Sequence, residues 1–518
     1  MKFLLARPNP QISWGHHGRS HKLHAARTHP SHPQKFKYKN LMKFSLKDRK
    51  LLKAIYRFAK AKKVKLYLVG GVLRDLILGK EKENPDFDFC LKKGAINFAS
   101  KLAKKIKAGF VILDKEHGAC RLVKRIKDKI CTLDFTDFRG PTLEKDLLHR
   151  DFTINAIALE LEKVFACEDL NNLLIDPYRG REDLKNKKIK AVNKKSFAED
   201  PLRILRAFSF AAGLGFEIDK ETLRLVKFEK DKLSKVSNER IRDELFKIFD
   251  TSRAFKCLVM LDKLKILKII FPEIEKMRGV EQGPYHHLDI WLHSLETVKQ
   301  LEILIQEAKR NNEIQDYLNE FITSDRRRKQ LIKLGALLHD IGKPDALRHE
   351  DGKIKFHGHE RIGSDMSEEI AKRLKLSNDE LNALRLMVYW HLRPGYLGDF
   401  EKPSARAKFR YFRDTDKEAI SILLLSLADQ RSTKGPLTTK AARMQHERVV
   451  SSLLKEYFKR LKEKKPKRLL NGDDLIKKFK LEPSPLIGKI LSEVEELQAI
   501  AKVKTKKEAL LIAKKFIK

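Results

Sequence analysis

The chain has 518 residues, too many for one ordinary domain, and 42% of them are hydrophobic, enough to build packed cores and to exclude a disordered protein. There is no run of about 18 apolar residues, the length a membrane-spanning helix needs. The five cysteines form no CxxC pair, which argues against a disulfide framework or zinc ribbon and fits a reducing cytoplasm. Lysine plus arginine reach 111 against 70 acidic residues, a net +41 that favours a polyanionic partner, although an excess spread along the whole chain points to nucleic acid only weakly.

Residues 1–47 carry no acidic residue and six of the 17 histidines, with Pro, Arg and Lys scattered without period; they read as a disordered basic extension, with Met42 a candidate start. A regular pattern then begins. A short helix is expected over 51–62, a strand over Lys65–Val69 ending in Gly70-Gly71, and a helix over Val72–Leu78. A strand at Phe87–Leu91 and a helix at Ala95–Lys107 follow. Strands are then expected at Phe110–Leu113, Cys120–Arg125, Ile130–Phe135 and Ile154–Leu161. After about residue 195 the strand signals vanish and helical spacing runs almost to the C-terminus, punctuated by Pro272 and Gly283-Pro284. The expected division is an α/β head over 48–165, a helical neck and body over 166–283, a His- and Asp-rich helical domain over 284–440, and a helical RNA-binding tail over 441–518.

Three features of the head carry chemistry. Leu68-Val69-Gly70-Gly71-Val72-Leu73-Arg74-Asp75 reads as strand, glycine turn and helix start, where the backbone can approach a phosphate and Arg74 can hold its oxygens. Asp86 and Asp88, two apart on a strand, point to one face, and their repulsion is relieved by a cation shared with a triphosphate. Asp134, in the apolar strand Cys131–Phe135, is either a third carboxylate of that pocket or general base, or a surface aspartate facing Arg139.

The order of these motifs, followed by Leu148-His149-Arg150-Asp151-Phe152-Thr153-Ile154-Asn155-Ala156, resembles the class II tRNA nucleotidyltransferase and bacterial poly(A) polymerase family. Ile175-Asp176-Pro177-Tyr178-Arg179-Gly180 is similar to that family's turn out of the head, Glu199-Asp200-Pro201-Leu202-Arg203-Ile204-Leu205-Arg206 to its base-reading helix, and Ser237-Asn238-Glu239-Arg240 with Glu244 to a later body motif. His149 and Ser209 depart from the pattern, standing where arginines are usual or occur in some members. The resemblance implies an α+β protein: a polymerase-β-like nucleotidyltransferase head with a mixed sheet, then all-α neck, body, HD and tail regions. It makes Asp86 and Asp88 the ligands of two magnesium ions. Gly70, Gly71, Arg74 and Arg150 become triphosphate contacts, and Asp151 acts at the ribose or orders the loop. The implied partners are tRNA, CTP and ATP, with no membrane. Asp200 and Arg203, expected three apart on one helix face with Arg206 a turn on, combine a hydrogen-bond acceptor with a donor and could complement the Watson–Crick edges of both C and A.

His293, His339-Asp340 and Asp429 follow in the order H…HD…D, which resembles an HD phosphohydrolase domain with a divalent metal; His359 and His391 could serve a second metal or bind phosphate. The expected reaction is CCA addition to the 3′ end of tRNA with release of pyrophosphate by two-metal, in-line displacement. Its rivals are an A-adding or CC-adding specialist, a poly(A) polymerase, or an HD phosphohydrolase whose head only binds RNA.

Overall fold

The computed structural model describes residues 44–80, 86–126, 129–166, 169–399, 401–463 and 467–517. The expected extension before residue 44 and Pro85 of the Pro85–Phe89 motif lie outside these residues, as do 464–466 of the basic stretch before the tail. The chain separates into two compact units, 1–186 and 187–518.

The first unit holds helix α1 (Leu46–Ala61), strand β1 (Tyr67–Val69), helix α2 (Gly71–Ile77), strand β2 (Asp86–Leu91), helix α3 (Ala95–Ile106), strands β3 (Gly109–Asp114), β4 (Ala119–Ile126) and β5 (Lys129–Asp137), helix α4 (Leu143–Leu148) and strand β6 (Ala158–Glu160). The strands form one sheet in the order β3-β4-β5-β2-β1-β6. β2 and β5 run parallel, and the other pairs are antiparallel. The period-two pattern explains its sidedness. Phe87, Phe89, Cys120, Leu122, Cys131, Leu133 and Phe135 are buried on one face. There Phe135 stacks on Phe89 and meets Phe98 of α3. The alternate residues of β2, β4 and β5 face away from that layer.

The strand expected over Ile154–Leu161 is shorter. Thr153–Asn155 form a 3₁₀ turn and only Ala158–Glu160 pair with β1. The turn is required because Asn155 faces inward, donating to Asp151 at 3.0 Å and accepting from Arg74 at 2.8 Å. Downstream, Asp176 accepts from the N–H groups of Gly180 and Arg181 at 2.7 and 2.9 Å and so caps the helix Gly180–Lys185.

Among its described residues the second unit is helical apart from two short strand pairings, Lys188–Ile189 with Glu217–Ile218 and Arg348–Glu350 with Lys353–Lys355, and an isolated bridge between Phe321 and Arg327. At two or three residues these strands are too short to leave a periodic signal, which is why none is expected there. The tail has its own core, in which Leu475, Ile490, Val494, Ala509 and Ala513 are buried together. Among the described residues, no helix is long and apolar enough to cross a membrane.

Candidate functional sites in the head and the HD region

In the head, the glycine turn and the paired carboxylates meet. Gly70 has φ +78°, a conformation side chains rarely adopt. A Cβ placed there would lie 2.9 Å from Arg150 Nη1 and 3.1 Å from Asp88 Oδ2. Only glycine therefore lets the β1–α2 turn sit against that carboxylate and that guanidinium. Register explains the meeting, since Val69 pairs with Asp88 across β1 and β2. Asp88 in turn pairs with Asp134 across β2 and β5. Asp86, Asp88 and Asp134 thus share the face opposite the buried phenylalanines.

Their partners were not readable beforehand. Thr132 Oγ1 donates to Asp86, and Arg121 of β4 holds Asp134 through two 2.8 Å bonds. The arginine facing Asp134 is therefore Arg121 and not Arg139, whose N–H instead donates to Asp146 at 3.0 Å. Arg121 is the residue opposite Asp134 in the β4–β5 register, a pairing visible only once the sheet is assembled. Arg74 is buried, and its guanidinium binds Asp75 and Asn155 at 2.8 Å each. It also lies 3.5 Å from where a Gly71 Cβ would stand. Asp151 is buried and accepts from the Phe152 N–H at 2.8 Å and from Asn155 at 3.0 Å, which orders the loop. A divalent cation fits this arrangement, because three carboxylates on one face beside a glycine turn and two arginines suit hard cations that share phosphate oxygens.

The segment Glu199–Arg206, expected to read the base, is built differently from expectation. Asp200 and Arg203 do not stand on one continuous helix. A short helix ends at Glu199, Asp200 is extended (φ −147°, ψ 101°), and a new helix runs Arg203–Leu214. Pro201 is the cause, since the residue before a proline is driven out of the helical region. Asp200 receives Arg240 Nη2 at 2.9 Å and the Leu202 N–H at 3.2 Å. Arg203 is buried, and its Nη1 donates at 3.1 Å to both the carbonyl and the hydroxyl of Ser196. Arg206 lies 3.5 Å from Glu244 and over the Phe210 ring. Ser209 donates to that same buried Glu244, so a serine here serves the carboxylate that Arg206 faces.

The HD residues converge inside the second unit. His293 lies on the helix Ile290–Glu307, and His339 with Asp340 follows the helix Arg328–Leu338. His359 opens the helix His359–Arg373, His391 ends the helix Asn378–Trp390, and Asp429 lies on Ala419–Ser432. Gly342 allows the approach, because a Cβ there would lie 2.3 Å from the His359 carbonyl and 2.4 Å from the Gly363 N–H.

Two groups of candidate ligand atoms result, each within 4.8 Å: His293, His339 and Asp429, and Asp340, His359 and His391. Asp340 faces both, with Oδ2 at 3.1 Å from His339 Nε2 and Oδ1 at 3.5 and 3.6 Å from His359 and His391 Nε2. The second group includes His359 and His391, which the sequence offers only as ligands of a second metal or as phosphate binders.

The Nδ1 atoms of His339, His359 and His391 each donate to the carbonyl three residues earlier, at 3.0, 2.7 and 2.7 Å. That bond fixes the tautomer and leaves Nε2 to ligate. All three Nε2 atoms are buried without a hydrogen-bond partner, as is Asp340 Oδ1, so a metal fits the donor set. Burial opposes the charge on His339, but Asp340 and Asp429 more than offset it and raise its pKa to about 10. Burial likewise opposes ionisation of Asp340, yet His339 and Lys343 hold its carboxyl well below the usual range. Both shifts describe a pocket that seeks positive charge. Sequence reasoning missed Lys343, which bridges Asp340 and Gln282 at 2.7 Å each, although it sits in the Ile341–Pro344 run after the HD pair. It also missed His286, which packs edge-on against His293 at 4.9 Å and whose pKa burial pushes down to about 3.

Comparison with known proteins matches the regions that hold the two candidate sites to known domains. Residues 66–190 match the Poly A polymerase head domain, 215–277 the "Probable RNA and SrmB-binding site of polymerase A", 290–434 the HD domain, and 436–513 the tRNA nucleotidyltransferase domain 2. The chain is 29% identical over 454 residues to the A-adding tRNA nucleotidyltransferase of Deinococcus radiodurans, covering 85% of this chain and 93% of that protein. It is 29% identical to the CC-adding tRNA nucleotidyltransferase of Synechocystis sp., covering 86% and 92%. It is 30% identical over 342 residues to the multifunctional CCA protein of Actinobacillus pleuropneumoniae, covering 63% and 75%. Among solved structures, a CCA-adding enzyme with CTP superposes with a TM-score of 0.61 at 22% identity, covering 92% of this chain and 96% of that one. The Thermotoga maritima CCA-adding enzyme complexed with tRNA gives 0.59 at 23%, covering 92% and 98%. These structural likenesses establish the fold. The chain belongs to the class II CCA-adding tRNA nucleotidyltransferase and poly(A) polymerase family, in the form that carries an HD domain.

Proposed function

We propose that the protein adds C and A nucleotides to the 3′ end of tRNA, using CTP and ATP and releasing pyrophosphate. The observation that supports this reading is the close approach of Asp88 and Arg150 to the Gly70 turn, a carboxylate suited to a cation beside a turn and a guanidinium suited to a triphosphate. In the reaction the RNA 3′-oxygen bonds to the α-phosphorus of the nucleotide while the bond from that phosphorus to the pyrophosphate oxygen breaks. Asp86 and Asp88 would hold two magnesium ions, which supply activation of the hydroxyl and neutralisation of charge on the leaving group. Arg74 and Arg150 hold the triphosphate. Asp134 lies in register with Asp88 to complete the carboxylate set or to take the hydroxyl proton, once its pairing with Arg121 is released. Asp200, held by Arg240, would supply the acceptor, and Arg203, once released from Ser196, the donor that together select C and A. The excess of basic residues suits a partner gripped through phosphates and shape.

The relatives include A-adding and CC-adding specialists, which makes partial addition the competing reading. Purified protein incubated with tRNA lacking its last three, two or one nucleotides, with CTP and ATP supplied separately and together, decides between them. Full CCA activity completes all three substrates when both nucleotides are present. A CC-adding enzyme stops two nucleotides in, and an A-adding enzyme extends only tRNA that already ends in CC. No extension of any of them removes the reading.

A second activity is favoured by the buried, unpartnered Nε2 atoms around Asp340. His293, His339, Asp340 and Asp429 would hold one divalent metal, with His359 and His391 completing a second position, and would hydrolyse phosphate esters or cyclic phosphates. Metal analysis with a phosphomonoester and a 2′,3′-cyclic phosphate as substrates tests it.

A further inference from the structure

The exposed face of the head sheet does more than display carboxylates. In the antiparallel part of such a sheet, a face turned to solvent is normally polar. Here Val111, Val123 and Ile130 are 53%, 38% and 46% exposed on that face. The register makes them one band. Val111 lies opposite Arg121, which lies opposite Asp134, while Val123 lies opposite Thr132, which lies opposite Asp86. Ile130 lies opposite Arg125. The three apolar residues therefore run diagonally across β3, β4 and β5, with neighbours about 7–8 Å apart. They are flanked by Arg121 and Arg125, and Val123 is two strands, about 10 Å, from Asp86.

Direction of attack supplies the occupant. The triphosphate cradle of Gly70, Gly71, Arg74 and Arg150 lies on the β1 side of Asp88. In-line displacement needs the nucleophile opposite the leaving group, so the RNA 3′-hydroxyl arrives from the β5 side, where the band begins. We infer that Val111, Val123 and Ile130 form the surface on which the 3′-terminal bases of the RNA acceptor lie, with Arg121 and Arg125 taking the adjacent phosphates. Apolar side chains stack against base faces without reading sequence, which suits an end whose terminal base changes at every addition. This inference rests on the nucleotidyltransferase reading of the head.

The test is a pair of double variants assayed on tRNA lacking its last three nucleotides. Val123→Thr with Ile130→Thr keeps strand propensity but removes the apolar face. Its KM for tRNA should rise roughly fivefold to tenfold, the low end of the loss of one stacked base, with a change of less than twofold in the KM for CTP. Val123→Tyr with Ile130→Phe keeps a stacking face and should bring the tRNA KM back to within about twofold of the parent. An unchanged tRNA KM in the threonine pair overturns the inference. So does equal impairment in the aromatic pair, which would mark a purely structural role. A change in oligomeric state without a change in tRNA KM would mean that a second copy covers the face, and would also overturn it. The nucleotidyltransferase reading is judged separately by Asp86→Ala. If that variant loses addition while the threonine pair behaves as the parent, only the RNA surface fails.

Discussion

At Gly70 one missing methyl group decides how the head is assembled. A Cβ would press on Arg150 and Asp88 together, and the φ of +78° would strain any other residue. Gly70→Ala should cost roughly 1–3 kcal/mol of stability through backbone strain. At permissive temperature it should lower kcat/KM for CTP and ATP by at least tenfold, because the carboxylate and guanidinium must both shift. Steady-state kinetics with thermal unfolding check this, and near-parental kinetics would remove the turn from the site. Asp86→Ala separates chemistry from binding: nucleotide addition should fall at least a thousandfold while tRNA affinity, measured by filter binding, changes less than threefold. Loss of both would show that Asp86 supports the RNA surface or the fold rather than the reaction. The head site was largely legible at this scale, because alternation along β2 and a double glycine are local patterns. Arg121 and Thr132 were not, since their contacts with Asp134 and Asp86 are cross-strand and depend on a register that no local pattern specifies.

Among the elements, the segment Glu199–Arg206 shows how a local rule can outrank a spacing argument. Residues three apart share a face only if the helix is continuous, and Pro201 interrupts it immediately after Asp200. The proline was in plain view; the i,i+3 reading omitted its effect on the preceding residue. The consequence is that Asp200 takes its orientation from Arg240, on the helix Asn238–Phe249, rather than from a helical neighbour. Asp200→Ala should therefore reduce discrimination among the four nucleotides by about tenfold, the worth of a hydrogen bond or so, with a smaller effect on the maximal rate. Arg240→Ala should reproduce a part of that loss without touching the base itself. Misincorporation assays with each nucleotide alone measure both, and unchanged selectivity in Asp200→Ala would remove it from base choice. The short strand pairs at 188–218 and 348–355 and the 3₁₀ turn at Thr153–Asn155 escaped prediction for a related reason: each is set by a partner or a buried side chain outside its own few residues.

For the molecule as a whole, the two candidate metal sites belong to different compact units, the carboxylates of the head to residues 1–186 and the HD cluster to 187–518. The H…HD…D order was legible in the sequence. The way Asp340 faces both ligand groups was not, because four helices must converge before one carboxylate can meet four histidines. Removing the HD ligands by His339→Ala with Asp340→Ala leaves the head carboxylates in place, so metal content should fall while nucleotide addition persists. Cleavage of phosphate esters should disappear in the same variant. The double substitution is preferable to either single one. Taking away only His339 would leave Asp340, still paired with Lys343, as a ligand that continues to hold the metal, whereas removing both takes two ligand residues from the cluster at once. Metal analysis, the tRNA extension assay and a phosphatase assay on the same preparation give the answer. Retained hydrolysis would place that activity outside the HD cluster, and loss of extension in a variant that unfolds at the parental temperature would show that the cluster serves the polymerase as well.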